Sequence, residues 1–411
     1  MNNSLRNDAS RIIEDSIKAV LPDEAVKRAL ESFKRPEGKL VLVAAGKAAW
    51  QMAAAARKEL PYIDDGIVIT KYEHVKGEIE GIKCYEAGHP VPDDNSFFAT
   101  SKALELVADL GEKDTVLFLL SGGGSALFES PLIPGEELQD ITKQLLGSGA
   151  DIVEMNTIRK RLSGVKGGRF AQAAAPAKIF SIVLSDVLGD PLDMIASGPA
   201  APDSSTCEQA LEIADRYGLK LSEQARDLLG KETPKELNNI TTLITGSVKE
   251  LCEAAAVSAG KIGYKPMILT DMLNCESKEA GSFLSSIAVS HHNDGGKLAF
   301  IAGGETVVHL KGTGKGGRNQ ELALSAAAGI DGLSNVAVFS IGSDGTDGPT
   351  DAAGGYVDGD TAEALRGKGV NLQNCLDNND AYNALKACNG LIITGPTGTN
   401  VNDVAVVLIS E

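Results

Sequence analysis

The sequence predicts a two-domain α/β protein, and three observations predict it. At 411 residues the chain is too long for one ordinary core, since domains run to roughly 150 residues. Apolar runs of strand length alternate with helix-like segments along nearly the whole chain, the rhythm of helix-covered parallel sheets. The 45 glycines and an aromatic fraction of only 4% favour an α/β chain with many tight turns. A polar stretch over 230–239, containing Pro234, is the expected boundary, giving one domain over residues 1–235 and a second over 236–411.

Taken in order, Ile12, Ile13, Ile17, Val20, Val26, Leu30 and Phe33 recur at helical spacing. They predict one or two amphipathic helices broken near Pro22. The apolar run 40–45, then Gly46-Lys47 and an Ala-rich stretch, reads as strand, turn, helix. Further strands are expected at 66–70, 115–120 and 178–184, with helices such as 95–110 and 137–146 between them. Beyond the boundary, strands are expected at 240–245, 266–270, 297–302, 336–341 and 391–394. The tail 401–409 reads as a last strand after the turn GPTGTNVN. No tandem repeat or low-complexity tract is present. KGGRFAQAAA from Lys166 and KGGRNQELALSAAAG from Lys315 echo each other, each leading to a strand that ends in Asp. Their Arg-to-Asp gaps, 17 and 26 positions, leave both duplication and shared βα grammar open.

A net charge of -17 argues against a broad nucleic-acid surface or a face for acidic membranes, either of which needs a basic patch to displace counterions. Six cysteines without a C-x-x-C pair fit neither a zinc site nor a disulfide framework and read as buried small hydrophobes. The polar start and the lack of any apolar run near 20 residues give the expectation of a cytoplasmic protein.

Local cations carry more information than the total charge. A helix N-terminus carries roughly +0.5 charge and prefers Asp or Glu, yet Lys47, Arg169 and Arg318 each follow glycine where a helix is expected to start. Backbone N–H groups, helix dipole and cation together make an anion site; the plain alternative is a solvated surface cation. Ser121-Gly122-Gly123-Gly124-Ser125 directly follows the run TVLFLL, at the strand end where α/β sheets bind ligands. Its glycines allow close backbone approach and an anion nest, or simply a flexible turn. The segment 312–317 fits G-x-G-x-x-G, although the strand before it alternates and the nearest acidic residue at a following strand end, Asp344, lies beyond the usual offset.

Acidic residues gather at two expected strand ends: Asp186, Asp190 and Asp193, then Asp344, Asp347 and Asp351. One or two could hold Mg²⁺ together with substrate phosphates or accept the proton of a hydroxyl. Most are expected to be turn-forming residues bonded to their own backbone. There is no Walker motif, no G-x-S-x-G elbow and no H-x-x-x-H pair. His89 is expected to be a structurally bonded loop histidine.

These segments resemble the glycerate 2-kinases of the MOFRL type. The resemblance rests on GKAAW from Gly46, GHPVPD from Gly88, LLSGGGSALFE from Leu119 and NTIRKRLSGVKGGR from Asn156. It continues in LSDVLGDPLDMIASGP from Leu184, GGETVVHLKGTGKGGRNQE from Gly303, SDGTDGPTDAAGG from Ser343 and TGPTGTNVND from Thr394. It implies a Rossmann-like N-terminal domain, a smaller C-terminal domain and an active site in the cleft between them. It further implies transfer of a phosphoryl group from ATP, with Mg²⁺ or another divalent cation, to D-glycerate, giving 2-phosphoglycerate. Lys47 and Arg318 match the family's substrate-binding or catalytic positions. On this reading Ser121 to Ser125 cradle the nucleotide phosphates, Arg169 joins the substrate cations, and Asp186 or Asp344 holds the metal or orients the acceptor hydroxyl. The partners are then small molecules, with neither nucleic acid nor membrane, and a homo-oligomer is compatible with the chain. Some members carry the name hydroxypyruvate reductase, so an NAD(P)H-dependent reductase built on the 312–317 match is the alternative enzyme. A non-catalytic sensor of phosphorylated acids is a third reading.

Overall fold

A computed structural model of the chain describes residues 3–410. They fall into two compact units, one over Ala25–Thr245 and one made of the N-terminal segment up to Glu24 together with the chain from Gly246 onward.

The first unit carries a six-stranded sheet of β1 (Leu40–Ala45), β2 (Asp65–Lys71), β3 (Ile82–Ala87), β4 (Thr115–Leu120), β5 (Lys178–Leu184) and β6 (Ile240–Gly246), in the order β3-β2-β1-β4-β5-β6. This is the doubly wound order of the Rossmann fold. The pairings β3–β2, β2–β1, β1–β4 and β4–β5 are parallel. The unbroken apolar runs of β1 and β4 follow from burial on both faces. Val41, Val43, Ala45, Val116, Phe118 and Leu120 face one core, packed by helix Asp94–Ala108 through Ala99, Ala103 and Val107. Leu40, Leu42, Ala44, Leu117 and Leu119 face the other, packed by helices Pro22–Leu30 and Ala49–Glu59. Each buried Val, Leu or Ile side chain contributes about 1.5–3 kcal/mol.

Two expectations change here. The strand at 240–245, expected to open the second half, instead joins the first sheet as β6 beside β5. The sequence shows no strand at β3 because it is a half-buried edge, with only Ile82 and Ala87 at its ends fully covered.

The second unit holds β7 (Lys265–Leu273), β8 (Leu298–Gly304), β9 (Val336–Gly342), β10 (Gly354–Asp358), β11 (Leu391–Ile392) and β12 (Asp403–Ile409), ordered β11-β10-β9-β12-β8-β7. β7 and β8 are parallel, and the other pairings are antiparallel. The last strand, β12, lies in the middle and brings Asp403 level with Gly304 on one side and Gly342 on the other. Helix Arg318–Gly329 packs against β9 and β10, buried from Asn319 to Ala327.

Helix Asn3–Ala19 belongs to this second unit, unlike the expected division of the chain. Its apolar face buries Leu5, Ala9, Ile12, Ile13 and Ile17. Asp15 accepts from the Ser258 hydroxyl at 2.7 Å and Asp8 from the Tyr264 hydroxyl at 2.8 Å. Pro22 starts the next helix, where its missing N–H is unneeded. Of the six free cysteines only Cys252 and Cys388 are buried, and Cys275 is exposed, which corrects the reading of all six as core residues. No helix among the described residues is long and apolar enough to cross a membrane.

Candidate active site

In the first unit the chemistry gathers at the carboxyl ends of β1, β4 and β5. After β1 the chain turns at Gly46, whose φ is +125° and where a Cβ would collide with the Ser121 hydroxyl at 2.2 Å. The Lys47 amide donates to the Gly122 carbonyl at 2.9 Å, and the Ala48 amide to the Ser121 hydroxyl at 3.1 Å. The two loops therefore hold each other. Among the described residues the Lys47 ammonium makes no ion pair and no hydrogen bond, although helix Ala49–Glu59 starts just after it.

The glycines of the 121–125 loop are explained by what presses on them. A Cβ on Gly122 would meet the Asp186 carboxylate at 2.3 Å, and one on Gly124 the Ala196 methyl at 2.6 Å. One on Gly123 would lie 3.1–3.2 Å from the His89 ring and 3.2 Å from Lys47 Cγ. Lys47, His89, Gly122, Gly123 and Asp186 are thus neighbours. The amides of Gly122 and Gly123 have no acceptor among the described residues. Ser121 and Ser125 are anchored instead: the Ser125 hydroxyl lies 2.9 Å from that of Ser197, and its carbonyl accepts from Arg159 at 2.9 Å.

His89 was expected to be structurally bonded, yet its ring nitrogens have no hydrogen-bond partner among the described residues. Partial burial, and then the charges of Lys47, Lys71 and His74, push its pKa down to about 4. Its imidazole is neutral at pH 7 and presents a free lone pair beside Lys47.

The sequence reading missed a set of buried cations. Arg159, Lys160, Arg161 and Lys166 are all buried. Lys160 pairs with Asp203 at 2.9 Å and Asp193 at 3.1 Å, and Lys166 with Glu129 at 2.5 Å. Burial pushes Lys166 down to about 8 against the pull of Glu129. The signal was the run Arg159-Lys160-Arg161: three consecutive helical residues cannot all point to solvent when the helix packs on one face. Arg169 is committed to the same framework. It begins helix Arg169–Ala174 as expected, but its guanidinium donates to the carbonyls of Lys160, Arg161 and Ser163 at 2.6–3.2 Å, closing the end of helix Ile152–Arg161.

In the second unit Arg318 opens helix Arg318–Gly329, but it is not an isolated cation. Its Nε and Nη2 grip Asp403 in a bidentate pair at 2.6 and 3.0 Å, and Nη1 donates to Glu305 at 2.7 Å. Burial acts to lower the guanidinium pKa, but the two carboxylates prevail and raise it. Asp403 is pushed up to about 6 by burial, with Arg318 opposing. Three of the five guanidinium N–H groups are engaged, leaving two for a ligand.

The second acidic cluster separates by role. Asp347 is buried and caps the Arg318 helix, accepting from the amides of Asn319 and Gln320 at 3.2 and 2.8 Å. Asp351 accepts from the Tyr382 hydroxyl at 2.7 Å. Asp344 makes a turn through one oxygen, Oδ1, to Thr346, and its other oxygen has no donor among the described residues.

The G-x-G-x-x-G match is not a dinucleotide fingerprint. The amides of Lys311 and Gly312 donate to Asn379, those of Thr313 and Gly314 to Asn378, and that of Lys315 to Asp380. Gly312, Gly314 and Gly317 are glycines because Asn378, Asp380 and Asp347 come within 2.3–2.4 Å of where a Cβ would stand. The next helix offers its second and third amides to Asp347, so the helix end departs from the Rossmann pattern and leaves only the first helical amide and those just before it open.

A doubly wound sheet carrying a free lysine, two open amides and a carboxylate at its carboxyl edge, with an arginine–carboxylate cluster in a second α/β unit, defines an enzyme that handles small anions. Residues 8–230 match the family described as Domain of unknown function (DUF4147), and residues 298–403 match the MOFRL family. The chain is 53% identical over 413 residues to the D-glycerate 2-kinase of Thermotoga maritima, covering 99% of both. It is 41% identical to an Agrobacterium vitis protein provisionally named a hydroxypyruvate reductase, covering 99% of this chain and 95% of that one. The crystal structure of glycerate kinase from Thermotoga maritima superposes with a TM-score of 0.96 at 52% identity, covering 99% of this chain and 100% of that one. The chain belongs to this DUF4147/MOFRL family of glycerate 2-kinases.

Proposed function

We propose that the protein is a D-glycerate 2-kinase that transfers the γ-phosphoryl group of ATP to the C2 hydroxyl of D-glycerate. The observation that carries this reading is near full-length relatedness to a D-glycerate 2-kinase. The unpaired Lys47 beside two open amides supports it as a seat for a small hydroxy acid. The Gly122 and Gly123 amides hold the glycerate carboxylate, and Lys47 neutralises charge that develops as the acceptor oxygen attacks. This moves the 121–125 loop from the nucleotide to the acid, because two amides suit a carboxylate better than a triphosphate.

Asp186 orients the acceptor hydroxyl. His89 accepts its proton as the new O–P bond forms and the bond to the leaving ADP breaks. An anionic substrate would raise the basicity of His89 toward the working range. Phosphoryl transfer asks mainly for positioning and charge stabilisation, so the base is worth less than the cations. Arg318 offers its two remaining N–H groups to phosphate oxygens. The donor set fits a magnesium ion, which takes one or two carboxylates plus phosphate oxygens rather than a full protein cage. Asp344, with one uncommitted oxygen, would hold it, and the ion would neutralise phosphate charge.

Incubation with D-glycerate, ATP and Mg²⁺ should release ADP in step with a phosphoglycerate whose phosphorus spectrum is that of the 2-isomer. NAD(P)H with hydroxypyruvate should show no oxidation above background. ADP release that is independent of glycerate, or nicotinamide oxidation in place of phosphoryl transfer, overturns the proposal. Within it, His89→Gln, which keeps a polar side chain without a base, should lower kcat by about 10²-fold with KM for glycerate little changed. Wild-type kcat in that variant would remove His89 from the reaction.

A further inference from the structure

The second unit contains a cavity of about 680 Å³, whose lining includes Val307, Leu310, Gly316, Gly317, Arg318 and Asp344. This space is far larger than a three-carbon acid needs and lies within the roughly 300–1,000 Å³ of pockets for drug-sized ligands. Its apolar wall faces solvent: Leu310 is 81% exposed and Val307 46% exposed. Val307 is nonetheless held in place, its carbonyl accepting from the Ser277 amide at 2.9 Å and its amide donating to the Cys275 carbonyl at 3.0 Å. Such apolar exposure on a fixed backbone calls for a flat, apolar partner.

The polar wall is different in kind. The amides of Gly316, Gly317 and Arg318 have no acceptor among the described residues, while the five preceding amides are all satisfied by Asn378, Asn379 and Asp380. The loop is therefore strapped in place and leaves three successive unsatisfied donors among the residues that line the cavity. Of the acidic groups on the lining, Asp347 is satisfied by the helix amides and Glu321 accepts from Asn379 at 3.1 Å. Asp344 is left to meet a cation.

We propose that this cavity seats the nucleoside triphosphate, with base and ribose against Val307 and Leu310 and phosphates at the Gly316–Arg318 donors beside Asp344. The inference rests on the kinase reading, whose acid substrate it leaves to the first unit.

The test measures binding separately from turnover. Titration calorimetry with Mg²⁺ and the β,γ-imido analogue of ATP should give a Kd about ten-fold weaker for Leu310→Ser and Val307→Ser. Val257→Ser, at an exposed apolar residue off the cavity, should stay within about two-fold. Inorganic tripolyphosphate, which lacks base and ribose, should bind all four proteins alike. Photolabelling the wild type with 8-azido-ATP should mark the peptide 306–318. Unchanged analogue affinity in both cavity variants, or label recovered on the 121–125 loop, overturns the seat. If glycerate phosphorylation persists in that case, the kinase reading stands alone. Analogue binding that weakens in both cavity variants, when the wild type binds the analogue but makes no phosphoglycerate, retains the seat and removes the acid.

Discussion

Replacing Lys47 by Ala should lower kcat/KM for glycerate by about 10³-fold, roughly 4 kcal/mol of transition-state stabilisation, without lowering the melting temperature. The two halves of this expectation have separate causes. The ammonium forms no ion pair among the described residues, so no buried partner is orphaned by its removal. Its backbone, which ties the β1 and β4 loops together, is kept by alanine. Steady-state kinetics beside a thermal melt check both halves. Activity within a few-fold of wild type would take Lys47 out of the chemistry, and a collapse of the melt would make its role structural.

Arg318→Ala is expected to fail on both counts. Removing the guanidinium strands Asp403, which is buried at the head of the central strand and level with two glycines. Breaking a buried pair costs about 3–5 kcal/mol, and the lower end applies because a third of the arginine side chain is exposed. Asp403 also fixes the sign of the pH dependence. Its folded pKa of about 6 exceeds the ordinary 3.8, so the native state favours the proton. The stability this lends is present below about pH 4 and is lost as pH rises through 6. Without Arg318 that window moves upward, and the variant should lose more relative to wild type at pH 8 than at pH 5. Urea unfolding at the two values measures the difference, and equal losses at both would show that the pair is not what holds Asp403. Arg318→Lys should not restore activity, because an ammonium cannot grip Asp403 in two places and still reach Glu305.

What could be read in the chain is what is local in it. A doubly buried strand running into glycine announced both Lys47 and the 121–125 loop, and the structure puts both at the sheet's carboxyl edge. The bidentate partner of Arg318 lies 85 positions away and Glu305 stands 13 positions before it, so no helical or strand spacing near the arginine revealed that its charge is already matched. The same limit applies to the aspartates. Asp344 and Asp347 stand three positions apart in one glycine-rich turn, and only the arrival of helix Arg318–Gly329 makes one a buried cap and leaves the other half-open. The strand β10 escaped notice because its GGYVD segment is short and begins with two glycines whose Cβ positions are filled by Ser340, Ala323 and Leu385. The environment of His89 is not legible in the sequence because a loop histidine usually finds a backbone partner, and here Gly123 and Lys47 occupy its surroundings instead.

The central position of β12 has a consequence for how the polypeptide is made. The first unit is one continuous stretch, complete in sequence once Thr245 has been synthesised. The second needs both an early helix and residues 403–409, the strand that joins β8 to β9. Until residues 403–409 leave the ribosome, β8 and β9 have no common neighbour and Arg318 has no Asp403 to grip. Domains folding as units during synthesis would therefore acquire the lysine edge well before the arginine cluster. Helix Asn3–Ala19, although synthesised before the rest of its unit, would be among the last elements to find its place.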